Sequence, residues 1–365
     1  MLSSITHETM HAAIFYGPNN IATKQVKLYE YNEDKEMIIL RVKSCAICGY
    51  DVRVFRNGHH KVTPPIVLGH EICGETIQDI RSFDKTILKA GTRVAVSPLI
   101  PCLKCIYCYN KQFNLCMNLK EIGSNINGGF AEFLKVPKRT LQIGGIIPIP
   151  HDIGNEEAAL LEPLSCCLNG LSRLGVTKES GADTSSVGII GDGPIGLIHL
   201  QLCKLIGAKT IVIGKVLPRI QKAKAMGADA VILAKDNETK DITEEVSQVT
   251  DGLGVNAVIV ATSNPAALNT ATSIASKNSK INIFAGMPKG SILSIDPNFL
   301  HYNQVTITGS FSATPHALRQ AIRLVANKEV CLSEIISHEY PLSHIQDAIF
   351  ATENYRGLRI VINEF

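Results

Sequence analysis

The 365-residue sequence contains no run of five or six like charges, no internal repeat and no low-complexity tract. No apolar stretch approaches the ~18 unbroken residues of a membrane span. These absences exclude a polyelectrolyte tail, a spanning helix and a fibrous or disordered chain. Residues Met1 to His11 also lack a basic segment followed by an apolar one, so a cytoplasmic protein is expected. What is present is globular: 45% of residues are hydrophobic, ample for two buried cores at roughly 100 to 200 residues per domain. Lys+Arg number 36 against 33 Asp+Glu, a formal net charge of +3. With so even a balance, a nucleic-acid groove or a membrane-binding face would have to be local, and neither is expected.

There are 11 cysteines, an odd number, and seven of them lie between Cys45 and Cys116. An odd count without a secretory signal argues against a disulfide framework, and clustered thiols then point to metal or catalysis. Cys102, Cys105, Cys108 and Cys116 form a C-x2-C-x2-C-x7-C run. Short Cys-x2-Cys loops place thiolates one tetrahedral edge apart, and four sulfurs close the shell of a zinc ion, so this metal is structural. A zinc ribbon for nucleic acid would interleave basic and aromatic residues, whereas Lys104, Lys111 and Lys120 stand among neutral ones. Cys45, Cys73, Cys166, Cys167, Cys203 and Cys331 lie in largely apolar stretches and read as buried free thiols.

The first ~150 residues read as short strands separated by Gly and Pro (Met37 to Val42, Ile66 to Glu71, Arg93 to Val96), an antiparallel, loop-rich half. From about Glu156, helical runs (Glu157 to Leu174, Pro194 to Ile206, Pro218 to Met226) alternate with short buried strands (Val187 to Ile190, Thr210 to Ile213, Ala230 to Leu233, Ala257 to Ala261, Lys280 to Phe284). That alternation is the pattern of a parallel, doubly wound α/β sheet. The division expected is 1–158 for the first domain with a zinc lobe at about 100–118, then 159–303 for the doubly wound domain, then a return to the first at 304–365.

Within this frame, Cys48, His70, Glu71 and Glu162 supply one thiolate, one imidazole and carboxylates, a mixed shell that suits a second zinc with one position open. Val187 to Gly196 is an apolar strand ending in G-x-G-x-x-G and opening a helix. Gly191 can make the tight turn, Gly193 can admit a pyrophosphate, and Gly196 can let helix and strand pack; Pro194 and Ile195 open the helix whose free N–H groups face the phosphates.

On Cys48-Gly49-Tyr50-Asp51, Gly69-His70-Glu71, the four-cysteine lobe, Gly128 to Glu132, Glu162-Pro163-Leu164 and the glycine-rich turn, the sequence resembles the zinc-dependent medium-chain alcohol dehydrogenases, most of all their sorbitol, glucose and threonine dehydrogenase branch. The resemblance covers essentially the whole chain. It implies a GroES-like catalytic domain beside a Rossmann domain, and hydride transfer between an alcohol and NAD(P). The alcohol would be a polyol, sugar alcohol or secondary alcohol. It implies two zinc ions per chain, the catalytic one held by Cys48 and His70 with Glu71 or Glu162, and Asp51 behind the ligand imidazole. A small-molecule alcohol or ketone substrate and a homodimer or homotetramer follow by the same route, with no nucleic acid and no membrane. Threonine-type and glucose-type dehydrogenases, and a non-catalytic coenzyme-binding protein, are the alternatives.

Where NAD-binding relatives place an acid, this chain has Gly214, followed by Lys215 and Arg219. Without that acid nothing repels a 2′-phosphate, so NADP is the expected preference. Arg359 matches a family position on the coenzyme pyrophosphate. Tyr50 and Arg53 stand where relatives carry Ser or Thr and His for proton relay, and Arg53 cannot act as a base. The expected relay therefore starts at Tyr50 and ends on coenzyme ribose or water. Ser312 follows Phe311 where the polyol branch often has a basic residue.

Overall fold

The computed structural model describes residues 9–28, 37–176, 186–234 and 239–365; residues 1–8, read above for a leader, lie outside these. The chain forms two compact units, Met1–Ser165 with Ala313–Phe365, and Cys166–Ser312. Both divisions fall later than the 158 and 303 expected from sequence, and each shift has a structural cause. Helix Leu161–Leu174 runs through the first boundary. Strand Thr306–Gly309, which falls in the expected return segment 304–365, pairs in parallel with Ala275–Ile283 as the sixth strand of the doubly wound sheet.

The first unit is built on strand Met37–Ala46, which pairs antiparallel with Glu71–Thr76, Phe133–Pro137 and Arg359–Glu364 within a seven-stranded sheet. Register brings three distant segments to one end of that strand. Ala46 lies opposite Glu71 on one side and Val361 on the other, and the Ile47 N–H donates to the Ile360 carbonyl at 2.9 Å. Cys48 follows immediately and precedes helix Gly49–Asn57. Phe15, Phe55 and Phe130 are wholly buried in the core beneath, each contributing roughly 1.5–3 kcal/mol of burial.

The run Ile66 to Glu71, expected as one strand, is broken. Ile66–Val67 and Glu71–Thr76 are separate strands, divided at Gly69, whose φ is 93°. A side chain there would strike Cys45 Sγ at 2.8 Å, and the Gly69 carbonyl passes 2.1 Å from where a Cβ on Gly128 would lie. The turn is pinned by Gly128 N–H to Val67 O at 2.8 Å, Gly129 N–H to Gly69 O at 2.9 Å and Phe130 N–H to Leu68 O at 3.1 Å. The Gly128-Gly129-Phe130 motif thus acts as the backing that orients His70. The expected helix Glu157 to Leu174 is likewise two helices, Asn155–Ala159 and Leu161–Leu174.

The second unit carries a six-stranded, all-parallel sheet in the order Ala230–Leu233, Lys209–Gly214, Ser186–Ile190, Val255–Val260, Ala275–Ile283, Thr306–Gly309. Numbered within the unit this is 3-2-1-4-5-6, the dinucleotide-binding order, with the switch point at the end of Ser186–Ile190. Gly191 turns the chain there with φ 128°. A Cβ on Gly196 would sit 1.9 Å from the Gly191 carbonyl oxygen, so the first turn of helix Pro194–Leu205 can close on the strand only without a side chain. Gly196→Ala should destabilise this unit by about 1–3 kcal/mol, read as an earlier urea midpoint; an unchanged midpoint would mean that the turn has room for a methyl.

Candidate functional site

In the four-cysteine lobe, all four sulfurs lie within 4.8 Å of one another. Cys105 and Cys108 are 3.5 Å apart, Cys105 and Cys116 3.9 Å, and Cys102 and Cys108 4.0 Å. Zinc–sulfur bonds of ~2.3 Å make a tetrahedron with edges of ~3.8 Å, so the donors fit the ion without rearrangement. The four thiols pull apart: the Met117 N–H draws Cys105 down to about 6 and the Lys104 N–H lowers Cys102, while desolvation pushes Cys108 up to about 12 and raises Cys116.

The second cluster forms at the sheet end already described. One donor atom each from Cys48, His70 and Glu71 lies within 4.8 Å of the others. Asp51 is fully buried and holds the cluster from behind: Oδ2 accepts the Cys48 N–H at 2.9 Å, and Oδ1 takes the Gly69 N–H at 3.4 Å and faces His70 Nδ1 at 3.6 Å. Burial alone would hold the imidazole neutral, but Asp51 and Cys48 outweigh it and raise the His70 pKa well above the ordinary value. The site therefore attracts positive charge. Glu71 Oε1 pairs with Arg359 Nη1 at 3.3 Å while Oε2 is buried with no hydrogen-bond partner among the described residues, an oxygen available to a metal. Glu162 is not in this group, although it is buried and its charge reaches Arg359. Of the two carboxylates left open by sequence, the structure brings Glu71 to Cys48 and His70.

Arg359, expected on the coenzyme pyrophosphate, is buried in the first unit, with Nη1 donating to the Ile47 carbonyl at 2.8 Å beside Glu71. There it holds Glu71 against the strand that precedes Cys48. Two of the six cysteines expected to be buried are not: Cys331 is exposed and Cys166 half-buried. Cys331 follows the end of helix Pro315–Ala326 in a surface turn, where its apolar neighbours give no cover.

Tyr50 projects from helix Gly49–Asn57 with its ring edge-on to His70, centroids 5.7 Å apart. Its hydroxyl bonds Ser124 Oγ at 2.7 Å and His59 Nδ1 at 3.3 Å. The Lys61 N–H also points to His59 Nδ1 at 3.3 Å, which makes that nitrogen the acceptor. Burial, then the charges of His60, Lys61 and Arg53, lower the His59 pKa. His59 and Ser124 are residues that sequence reasoning missed. Arg53 is exposed and acts on this group through its charge.

In the second unit a Cβ on Gly193 would meet no protein atom nearer than Arg219 Nη1 at 3.9 Å. The backbone is thus open to a close-approaching group, and helix Pro194–Leu205 begins there without a side-chain cap, leaving its N–H groups for an anion. Gly214 is buried at the end of its strand, Lys215 exposed and Arg219 buried. The expectation that no acid stands at this point needs correction. Asp192 folds over Gly214 and accepts the N–H groups of Lys215 and Val216 through Oδ2, at 2.8 and 2.6 Å.

The two clusters differ in what their loss should do. Cys105→Ala opens the closed shell and should lower the melting temperature by about 10 °C or more. Cys48→Ala should abolish turnover with little change in melting temperature. Equal effects of both substitutions on both readouts would contradict the division.

The family profile described as alcohol dehydrogenase GroES-like domain matches residues 34–150, and that described as zinc-binding dehydrogenase matches 194–327. Among curated proteins, the D-arabitol-phosphate dehydrogenase of Enterococcus avium is 29% identical over 95% of this chain and 94% of its own length. The sorbitol dehydrogenase of Bacillus subtilis is 29% identical over 94% of this chain and 93% of its own. Among solved structures, a protein of Sinorhizobium meliloti assigned as a zinc-binding dehydrogenase and bound to NADP superposes with a TM-score of 0.86 at 27% identity, over 98% of this chain and 100% of that one. With both halves matched by their profiles, full-length dehydrogenase relatives and a donor set that fits zinc, the chain belongs to the zinc-dependent medium-chain alcohol dehydrogenase family.

Proposed function

We propose that this protein oxidises a polyol, sugar alcohol or secondary alcohol, or reduces the corresponding ketone, with NAD or NADP and a zinc ion held by Cys48, His70 and Glu71. The observation that supports it best is the mixed cluster itself: three protein donors within 4.8 Å leave one position of a tetrahedral ion open. The chemistry that a bound zinc supplies there is acidification of a hydroxyl or polarisation of a carbonyl. Curated relatives named for arabitol phosphate, sorbitol and L-galactonate support a polyhydroxylated substrate. Lys215 and Arg219 would favour NADP, the coenzyme bound by the S. meliloti protein, whereas the Asp192 carboxylate stands against it. Assembly as a homodimer or homotetramer is part of the same reading.

The chain's own residues move the proton. Tyr50 Oη stands within bonding distance of both Ser124 and His59, so it can take a proton from a substrate hydroxyl while passing its own to His59 Nδ1. Ser124 holds the phenol in place. His59 is partly exposed and hands the proton to water, the role that Arg53 cannot fill.

Because the His59 pKa is lowered from 6.5, its neutral, accepting form persists through neutral pH. Alcohol oxidation should hold its rate down to about pH 6.5 and fall only below it. Tyr50→Phe should lower kcat on the order of 10²-fold, and His59→Asn should remove that acid limb. A Tyr50→Phe enzyme with unchanged kcat and pH profile would show that the phenol only lines the site.

A further inference from the structure

The glycine-rich turn holds a residue that the dinucleotide motif does not require. Asp192 occupies the variable position after Gly191 and is buried, with 8% of its surface exposed. A Cβ built on Gly214 would lie 2.4 Å from Asp192 Cβ and Oδ2 and 2.5 Å from Cγ. The Asp192 carboxylate therefore fills the volume at the end of the second strand in which NAD-binding folds place an acid some 20 residues after the turn. Glycine at 214 and aspartate at 192 are one arrangement, since any side chain at 214 would displace the other.

Three further observations say what this carboxylate does. It is fixed, because Oδ2 accepts the N–H groups of both Lys215 and Val216. Those N–H groups, at the end of the second strand, are thus already engaged with an anion. The cations that argued for NADP are placed to do something else. Lys215 is exposed, where water and salt screen its charge. The buried Arg219 brings Nη1 to within 3.9 Å of the Cβ position of Gly193, beside the turn that faces the pyrophosphate, which NAD and NADP share.

We infer that Asp192 reads the adenosine ribose in place of the acid missing from the second strand, so that the chain selects NAD over NADP. The inference rests on the protein being a nicotinamide-dependent dehydrogenase. The carboxylate accepts a ribose hydroxyl and repels a 2′-phosphate, while Arg219 serves the diphosphate common to both coenzymes.

Equilibrium binding of NADH and NADPH to the zinc-loaded enzyme, followed by nucleotide fluorescence without substrate, tests this directly. The wild type should bind NADH at least about ten-fold more tightly than NADPH. Asp192→Asn, with its fold checked by circular dichroism, should reduce that ratio by about ten-fold or more. Tighter NADPH binding by the wild type, or a folded Asp192→Asn protein with an unchanged ratio, would overturn the assignment while leaving the dehydrogenase reading in place. If the variant fails to fold, the wild-type ratio decides alone. Failure to bind either nucleotide would overturn the dehydrogenase reading and this inference with it.

Discussion

Negative charge, buried at one end of strand Met37–Ala46, is the constraint on which the catalytic half depends. Asp51 and Glu71 are almost wholly removed from water, and Cys48 joins them as a thiolate whenever it ligates. Arg359 is the permanent cation that contacts this cluster among the described residues. Burial pushes the Glu71 carboxyl up, and against burial the Asp51 and Cys48 neighbours push the His70 imidazole up, so without a metal the cluster takes up protons, and a divalent ion would replace them. Buried negative charge is costly unless protons or a divalent ion balance it. The upward shift of His70 and the orphaned oxygen of Glu71 are two signs of the same imbalance.

The sheet register makes this concentration possible. Cys48 and Arg359 lie more than 300 residues apart, yet Ile47 and Ile360 are hydrogen-bonded neighbours. Glu71 enters from the opposite side through its pairing with Ala46. The break at Gly69 then frees His70 from the strand so that its ring can turn toward Cys48 and Asp51. Gly128-Gly129-Phe130 holds that break closed from behind. Positioning and charge thus come from backbone pairing, and the donors themselves need little freedom.

Much of this was legible in the sequence because the chemistry is local. The four cysteines lie within 15 residues, and the glycine-rich turn joins one strand to the next helix; in both cases the spacing carries the geometry. The strand and helix alternation of the second unit was readable because parallel strands are buried on both faces and appear as short apolar runs. What was not legible depends on tertiary contact. The contact of Arg359 with Glu71 arises from antiparallel pairing of distant strands, which no local spacing signals. His59 follows the end of helix Gly49–Asn57, and no spacing signals that it reaches the Tyr50 hydroxyl. Gly214 itself carries no acid, and the Asp192 carboxylate that fills its place comes from 22 positions earlier, across the turn, where no spacing announces it. Nothing in Thr306–Gly309 marks it for the parallel sheet it joins, since a four-residue strand carries no sign of its partner.

In the function proposed above, the mixed cluster of Cys48, His70 and Glu71 holds a metal that the reaction requires, separate from the metal in the cysteine lobe. Graded chelation tests it, with zinc per chain and the initial rate of polyol oxidation measured on the same aliquots. The account predicts two zinc ions per chain at the start, and loss of activity in step with removal of the first, from the three-donor site, while the lobe retains its ion. Full activity in a preparation stripped of zinc, or activity that survives until the second ion leaves, would contradict it.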